Sequence, residues 1–330
     1  MKHIYVSCYT FHVSCFMIIG HQKQWNFLKE KFESHQLSHA YLFTGPDEIG
    51  KKTLALEFLK MIIGDLSTGK EKDLNQKLID QGKHPDFLMV LAKNGSEIQI
   101  GQIREIQQFL NLKPYYGSLK AVVIDRAEKM NKEAQGCFLK TLEEPKGQTL
   151  LILITAKPEA LLPTILSRCQ TIKFFIVGLE EIKNHLLKNK LPENKAEMLA
   201  HISDGRPGRA INLLLEPEKI EKEKQAFAEI IRVSSSDLAS KFQYTKSIEE
   251  SDFAATIELF KRYFRQLLFL KLGIKNFIDF GFFPPPSDKL KSYSLAKIKE
   301  IIKLAEFLDS SIATTNVNPK LALEILLMEQ

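Results

Sequence analysis

The hydrophobic pattern changes character along the chain. Between residues 40 and 176, short unbroken apolar runs alternate with stretches of helical spacing. AYLFTG (40–45), DFLMVLA (86–92), KAVVID (120–125), TLLILIT (149–155) and TIKFFI (171–176) have continuous rather than alternating apolar residues, which predicts strands covered on both faces. Residues 51–63, 101–111 and 131–143 between them carry helical spacing, and QKQWNFLKEKFES places Trp25, Leu28 and Phe32 on one face of an amphipathic helix. Strands alternating with helices predict parallel βαβ units and an α/β domain over residues 17–176.

From residue 177 the strand signals stop. LEEIKNHLLKNK, ENKAEMLAHIS and GRAINLLL are short helical pieces punctuated by Pro192, Gly205 and Pro207, which predicts a small helical unit over 177–216. Residues 217–330 are again helical, with FAATIELFKRYFRQLLFLKLG the longest periodic piece and a break at FGFFPPPSD (280–288), where Pro284, Pro285 and Pro286 cannot continue a helix.

Composition narrows the class without choosing a function. The 330 residues are 44% hydrophobic, enough for a real core divided over two or three domains. A net charge of +6 permits nucleic-acid contact but does not argue for it. Cysteines 8, 15, 137 and 169 form no close C-x-x-C pair, so a reduced, cytoplasmic setting is expected and a metal or redox centre is not. The apolar opening MKHIYVSCYTFHVSCFM lacks a strong basic region and a clear cleavage site, so it does not read as a signal peptide. No later stretch reaches the roughly 18 uninterrupted apolar residues of a membrane span, so no membrane association is expected.

The most informative stretch is GPDEIGKKT (45–53), which follows a predicted strand and opens a predicted helix, as a phosphate-binding loop does. Gly45, Gly50 and Lys51 fit G-x-x-x-x-G-K-[ST], but Lys52 stands where a hydroxyl should hold magnesium. Thr53 does not substitute, because one helical step turns its side chain by about 100°. Glu48 places a carboxylate where phosphate charge would lie. Downstream, AVVIDRAEKM ends a strand in Asp125, a magnesium-coordinating position, but Arg126 follows where an acid would orient water. A guanidinium cannot act as a base. Glu128 reads as a helix-face residue rather than a replacement. These residues describe a nucleotide cradle that has lost its own hydrolysis, with weak ATP and magnesium binding left open by Lys51 and Asp125.

Four segments, SHAYLFTGPDEIGKKTLALEF, KPYYGSLKAVVIDRAEKMNKEAQGCFLKTLEEP, TLLILITAKPEALLPTILSRCQTIKF and DGRPGRAINLL, together resemble the AAA+ clamp-loader family of the bacterial DNA polymerase III holoenzyme, in particular its delta-prime branch. The resemblance covers residues 17–215, and KTLEEP followed by LPTILSRC is its most specific part. It implies an AAA+ α/β core, a helical lid and a helical collar through which five subunits form a ring. Implied partners are the tau/gamma motor and delta subunits, and, through the complex, the sliding clamp and primer-template DNA. It implies that Arg168 is an arginine finger offered to the neighbouring subunit's ATP, that Thr155 sits at the nucleotide-sensing position and that Arg209 matches a lid arginine.

Members of the family open with a sequence like MIIGHQ, which here begins at Met17, so residues 1–16 are expected to be a translated upstream extension or an untypical disordered tail. A four-cysteine zinc module common in relatives is missing from GDLSTGKEKDLNQKLIDQGKHPD, so no zinc is expected. Two other readings share the pattern: an active motor-type ATPase of the same fold, and a DNA-binding AAA+ protein acting alone. The second would need a basic, aromatic surface, and KRYFRQLLFLK (261–271) is better spaced for packing.

Overall fold

The computed structural model describes residues 18–65, 70–92, 97–116, 119–249, 252–274, 293–314 and 317–329. The 1–16 extension and the FGFFPPPSD break lie outside the described residues. The chain forms two compact units, Met1–Ala210 and Ile211–Gln330.

In the first unit, strands β1 (Ala40–Thr44), β2 (Phe87–Val90), β3 (Lys120–Ile124), β4 (Thr149–Thr155) and β5 (Gln170–Lys173) form one sheet in the order β2-β3-β4-β1-β5. All neighbouring pairs are parallel. Helices α1 (Gln22–Glu33), α2 (Lys51–Asp65), α3 (Lys70–Asp80), α4 (Ile100–Asn111), α5 (Lys132–Glu143) and α6 (Pro163–Leu166) connect or flank them. Successive side chains of a strand point to opposite faces, and the core divides accordingly. Tyr41, Phe43, Val123 and Ile152 pack with Leu54 and Phe58 of α2, while Leu42, Val122, Ile124 and Leu153 pack with Ile106 of α4 and Phe138 of α5. With both faces covered, continuous apolar strands are what burial requires, each large side chain contributing about 1.5–3 kcal/mol. This is the expected α/β P-loop architecture, followed by helices.

The last predicted strand ends early. TIKFFI keeps strand geometry only to Lys173; the Phe174 N–H still donates to Thr44 O (2.7 Å). The chain then leaves the sheet, with Phe175 and Ile176 exposed. Helices α7 (Leu179–Lys188) and α8 (Glu193–Ile202) follow, and α9 (Pro207–Leu215) begins in this unit.

The second unit holds α10 (Glu218–Ser234), α11 (Leu238–Ser247), α12 (Phe253–Lys271), α13 (Leu295–Thr314) and α14 (Pro319–Met328). Among the described residues, each of its buried cations has a partner. Lys261 lies between Glu258 (2.5 Å) and Asp309 (2.8 Å), joining α12 to α13. Arg262 pairs with Glu223 at 3.3 Å and covers the Phe227 ring at 5.1 Å, joining α12 to α10. Lys241 of α11 donates to Leu327 O (2.7 Å), satisfying a carbonyl in the last turn of α14 that the helix itself leaves open. No helix among the described residues is long and apolar enough to cross a membrane.

Candidate nucleotide cradle and outward arginine

The loop between β1 and α2 lies at the carboxyl ends of the parallel strands, where open α/β sheets bind ligands. Gly45 has φ +144°, and a Cβ there would collide with the carbonyl of Phe174, so only glycine fits. Glu48 adopts the left-handed conformation at φ +60° with its side chain exposed. Gly50 (φ +97°) then turns the chain into α2, whose first residue is Lys51.

Lys51 is 5% exposed, and its ammonium folds back on the loop, donating to Gly45 O and, at 2.6 Å, to Pro46 O. Burial lowers its pKa; the carboxylates of Asp47, Glu128 and Asp125 pull it back up, and Arg206 opposes them. Pro46 supplies no N–H, so the loop has one fewer donor for an anion.

Lys52 turns the other way. Its Nζ lies 3.5 Å from Oδ2 of Asp125, so a protein cation pairs with the carboxylate expected to hold magnesium. Thr53 is exposed one helical step on. Arg126, also exposed, has φ +55° and caps the 3-10 turn Ala127–Lys129. Glu128 Oε2, in that turn, is buried without a hydrogen-bond partner, which together with its pull on Lys51 directs this carboxylate toward the loop rather than along an outer helix face. Thr155 pairs in register with Thr44 at the end of β4, is 1% exposed, and its hydroxyl accepts from Lys157 N–H (3.0 Å).

Arg209 is 6% exposed and lies 3.9 Å from Asp204. One residue earlier, Gly208 N–H donates to Glu48 O at 2.7 Å. Neither Gly208 nor Arg206 stood out in the sequence, although a glycine inside a helical run is itself a signal of close backbone approach.

Arg168 sits just ahead of β5, at the amino ends of the parallel strands, whereas the loop lies at their carboxyl ends. Its guanidinium pairs with Glu143 at 2.7 Å and donates to Thr164 O at 3.1 Å, with 37% of the side chain exposed. Glu143 ends α5 in the LEEP segment, so the two most specific sequence pieces meet in one ion pair. Cys169 beside it is buried, and burial pushes its thiol up to about 12, which makes it packing rather than a nucleophile.

Residues 20–177 match the family described as DNA polymerase III, delta subunit. The match covers just under half of the chain. Within the same region, the delta' subunit of DNA polymerase III from Bacillus subtilis (strain 168) is 34% identical over 180 residues, covering 54% of this chain and 54% of that relative. The delta' subunit of Pseudomonas aeruginosa is 34% identical over 181 residues, 52% of this chain and 54% of the relative. The tau/gamma subunit of Haemophilus influenzae is 31% identical over 182 residues, covering 54% of this chain and 26% of that relative. The chain thus matches about half the length of the delta' relatives. A solved gamma subunit-related protein of DNA polymerase III from Thermotoga maritima aligns over 92% of this chain and 97% of its own, at 20% identity and a TM-score of 0.45.

Proposed function

We propose that this chain is a delta-prime-type subunit of a replicative clamp loader, which does not hydrolyse ATP itself and donates Arg168 to a neighbouring ATPase subunit. The observation that carries the reading is the self-occupied loop: Lys51 is engaged by the loop's own carbonyls and Lys52 by Asp125. With Arg126 in place of a water-orienting acid, the cradle keeps its shape and lacks the groups for turnover. Arg168 is instead held partly exposed by Glu143. A fork of fixed donors that is already oriented loses less entropy when it meets a phosphate, and a finger supplied in trans stabilises charge on the transferring phosphoryl group.

Similarity to both delta' and tau/gamma relatives leaves the motor-type reading as the competitor, and the chemistry of positions 52 and 126 favours the non-hydrolysing one. The partners proposed are tau/gamma and delta subunits in a five-membered ring, with the sliding clamp and primed DNA engaged through the assembly, in the cytoplasm and without zinc. The test is steady-state ATP hydrolysis by the purified chain beginning at Met17. No turnover is expected; turnover that Lys51→Ala abolishes would give the motor-type reading instead.

A further inference from the structure

A nucleotide cradle without turnover raises the question of what keeps its shape, and the loop's carbonyls answer it. Buried backbone groups must be paired somewhere. The carbonyls of Gly45 and Pro46 accept from the Lys51 ammonium, and that of Gly50 accepts from Leu54 N–H in the first turn of α2 (2.9 Å). Those of Glu48 and Ile49 are taken by groups from outside the loop and its helix. Glu48 O accepts from Gly208 N–H at 2.7 Å, and Ile49 O accepts from His21 Nε2–H at 2.8 Å. The His21 ring packs edge-on against Phe174, centroids 4.8 Å apart.

Gly208 lies at the second residue of α9, where helix N–H groups have no partner within the helix and the dipole is positive. Such an end is suited to an anion, and here a loop carbonyl fills it. The contact is also sterically exclusive: a Cβ at position 208 would lie 2.7 Å from Glu48 O. Glu48 makes this contact while holding φ +60°, a conformation costly for a non-glycine residue. A second bond, Val177 N–H to Gly205 O at 2.8 Å, ties the same turn to the segment leaving β5.

We propose that the Glu48–Gly208 bond, backed by His21 on Ile49, is a built-in bridge that does the work of a nucleotide: within the first unit it couples the P-loop to the turn between α8 and α9 and fixes their geometry whether or not nucleotide is present. The proposal rests on reading the loop as a cradle without turnover and adds what replaces the ligand.

Hydrogen exchange on the full chain, read by peptides covering 45–53 and 203–213, tests it. In the wild type both segments are protected without nucleotide, and millimolar Mg·ATP does not slow them further. Gly208→Ala speeds exchange in both segments together, by roughly fivefold, the change expected from one lost hydrogen bond, while β3 and β4 peptides are unaffected. Glu48→Gly, which keeps the carbonyl and removes the conformational cost, leaves both segments protected and serves as the variant certain to accommodate φ +60°. The bridge is refuted if the wild-type segments exchange freely until nucleotide is added, or if Gly208→Ala leaves them protected. Parallel ATPase measurements separate the two readings. Turnover by the chain alone overturns the non-hydrolysing function whatever the exchange result, whereas protection that depends on nucleotide without turnover overturns the bridge alone.

Discussion

Lys52→Thr removes the ammonium that pairs with Asp125, the carboxylate that the proposed reading assigns to magnesium. In the wild type the Lys52 ammonium lies 3.5 Å from Asp125, with side chains 43% and 20% exposed. At such exposure the ion pair is worth about 0–1 kcal/mol, so the substitution changes global stability by no more than that. Its effect on a metal is larger. Two unit charges 4 Å apart interact by about 1 kcal/mol in water and about 4 kcal/mol at an effective dielectric of 20; for a divalent cation these become about 2 and 8. The exposure of Lys52 argues for the lower figure. Even about 2 kcal/mol exceeds the 1.4 kcal/mol that makes a factor of ten in affinity. Threonine also restores the hydroxyl of the motif. Titration with a fluorescent ATP analogue, with magnesium and then with chelator, reads the result. The variant gains at least about tenfold in affinity, only when magnesium is present. An unchanged affinity in a variant that melts like the wild type would show that the ammonium is not the barrier.

Other expectations follow from groups outside the loop. Asp86 is 1% exposed and accepts from Tyr115 N–H and Tyr116 N–H, both at 2.7 Å, with Lys120 Nζ 3.5 Å away and itself buried. Asp86→Ala therefore leaves the buried Lys120 ammonium with only Pro85 O and the Phe109 ring and lowers unfolding free energy by about 3 kcal/mol in urea denaturation; adding Lys120→Met recovers part of it. An undiminished midpoint for Asp86→Ala would refute the buried pair. His21, His84, His185 and His201 all have their pKa lowered from 6.5, chiefly by burial. Below pH 6.5 the unfolded chain takes up protons that the folded one resists, so stability present above 6.5 is lost as pH falls. Denaturation midpoints at pH 7 and about 5.5 check this, and His84→Asn, which keeps an acceptor for Asp86 N–H but does not titrate there, flattens the slope.

The sheet was readable because both its faces are covered, and continuous apolar runs have few other uses in an α/β domain. The end of β5 was not. Phe174, Phe175 and Ile176 continue the apolar run, but the chain must leave the sheet there to start α7, and only Phe174 is buried. Helix α3 gave a weak signal for the opposite reason: KEKDLNQKLID is mostly polar and inserts Asn75 and Ile79 at 2% and 1% exposure. The glycine spacing of the loop and the residue chemistry of Lys52 and Arg126 are the sequence grounds for the cradle without turnover that is proposed above. What each side chain does instead was hidden, because it depends on partners distant in sequence: Asp125 for Lys52, Glu143 for Arg168 and Gly208 for Glu48. Local pattern reports what a segment can form, whereas long-range pairing is decided by the packing of the sheet.

On the proposed function, this chain contributes chemistry to a neighbour and none to itself. The direct measurement is ATP turnover by the chain mixed with motor and delta subunits and primed DNA, comparing wild type with Arg168→Ala. Losing the exposed Glu143 pair costs the fold no more than about 1 kcal/mol, so assembly is preserved and can be confirmed by size. The chain alone is expected to be inactive, and the assembled mixture is expected to lose turnover with Arg168→Ala. Full turnover by an assembled Arg168→Ala mixture would contradict it.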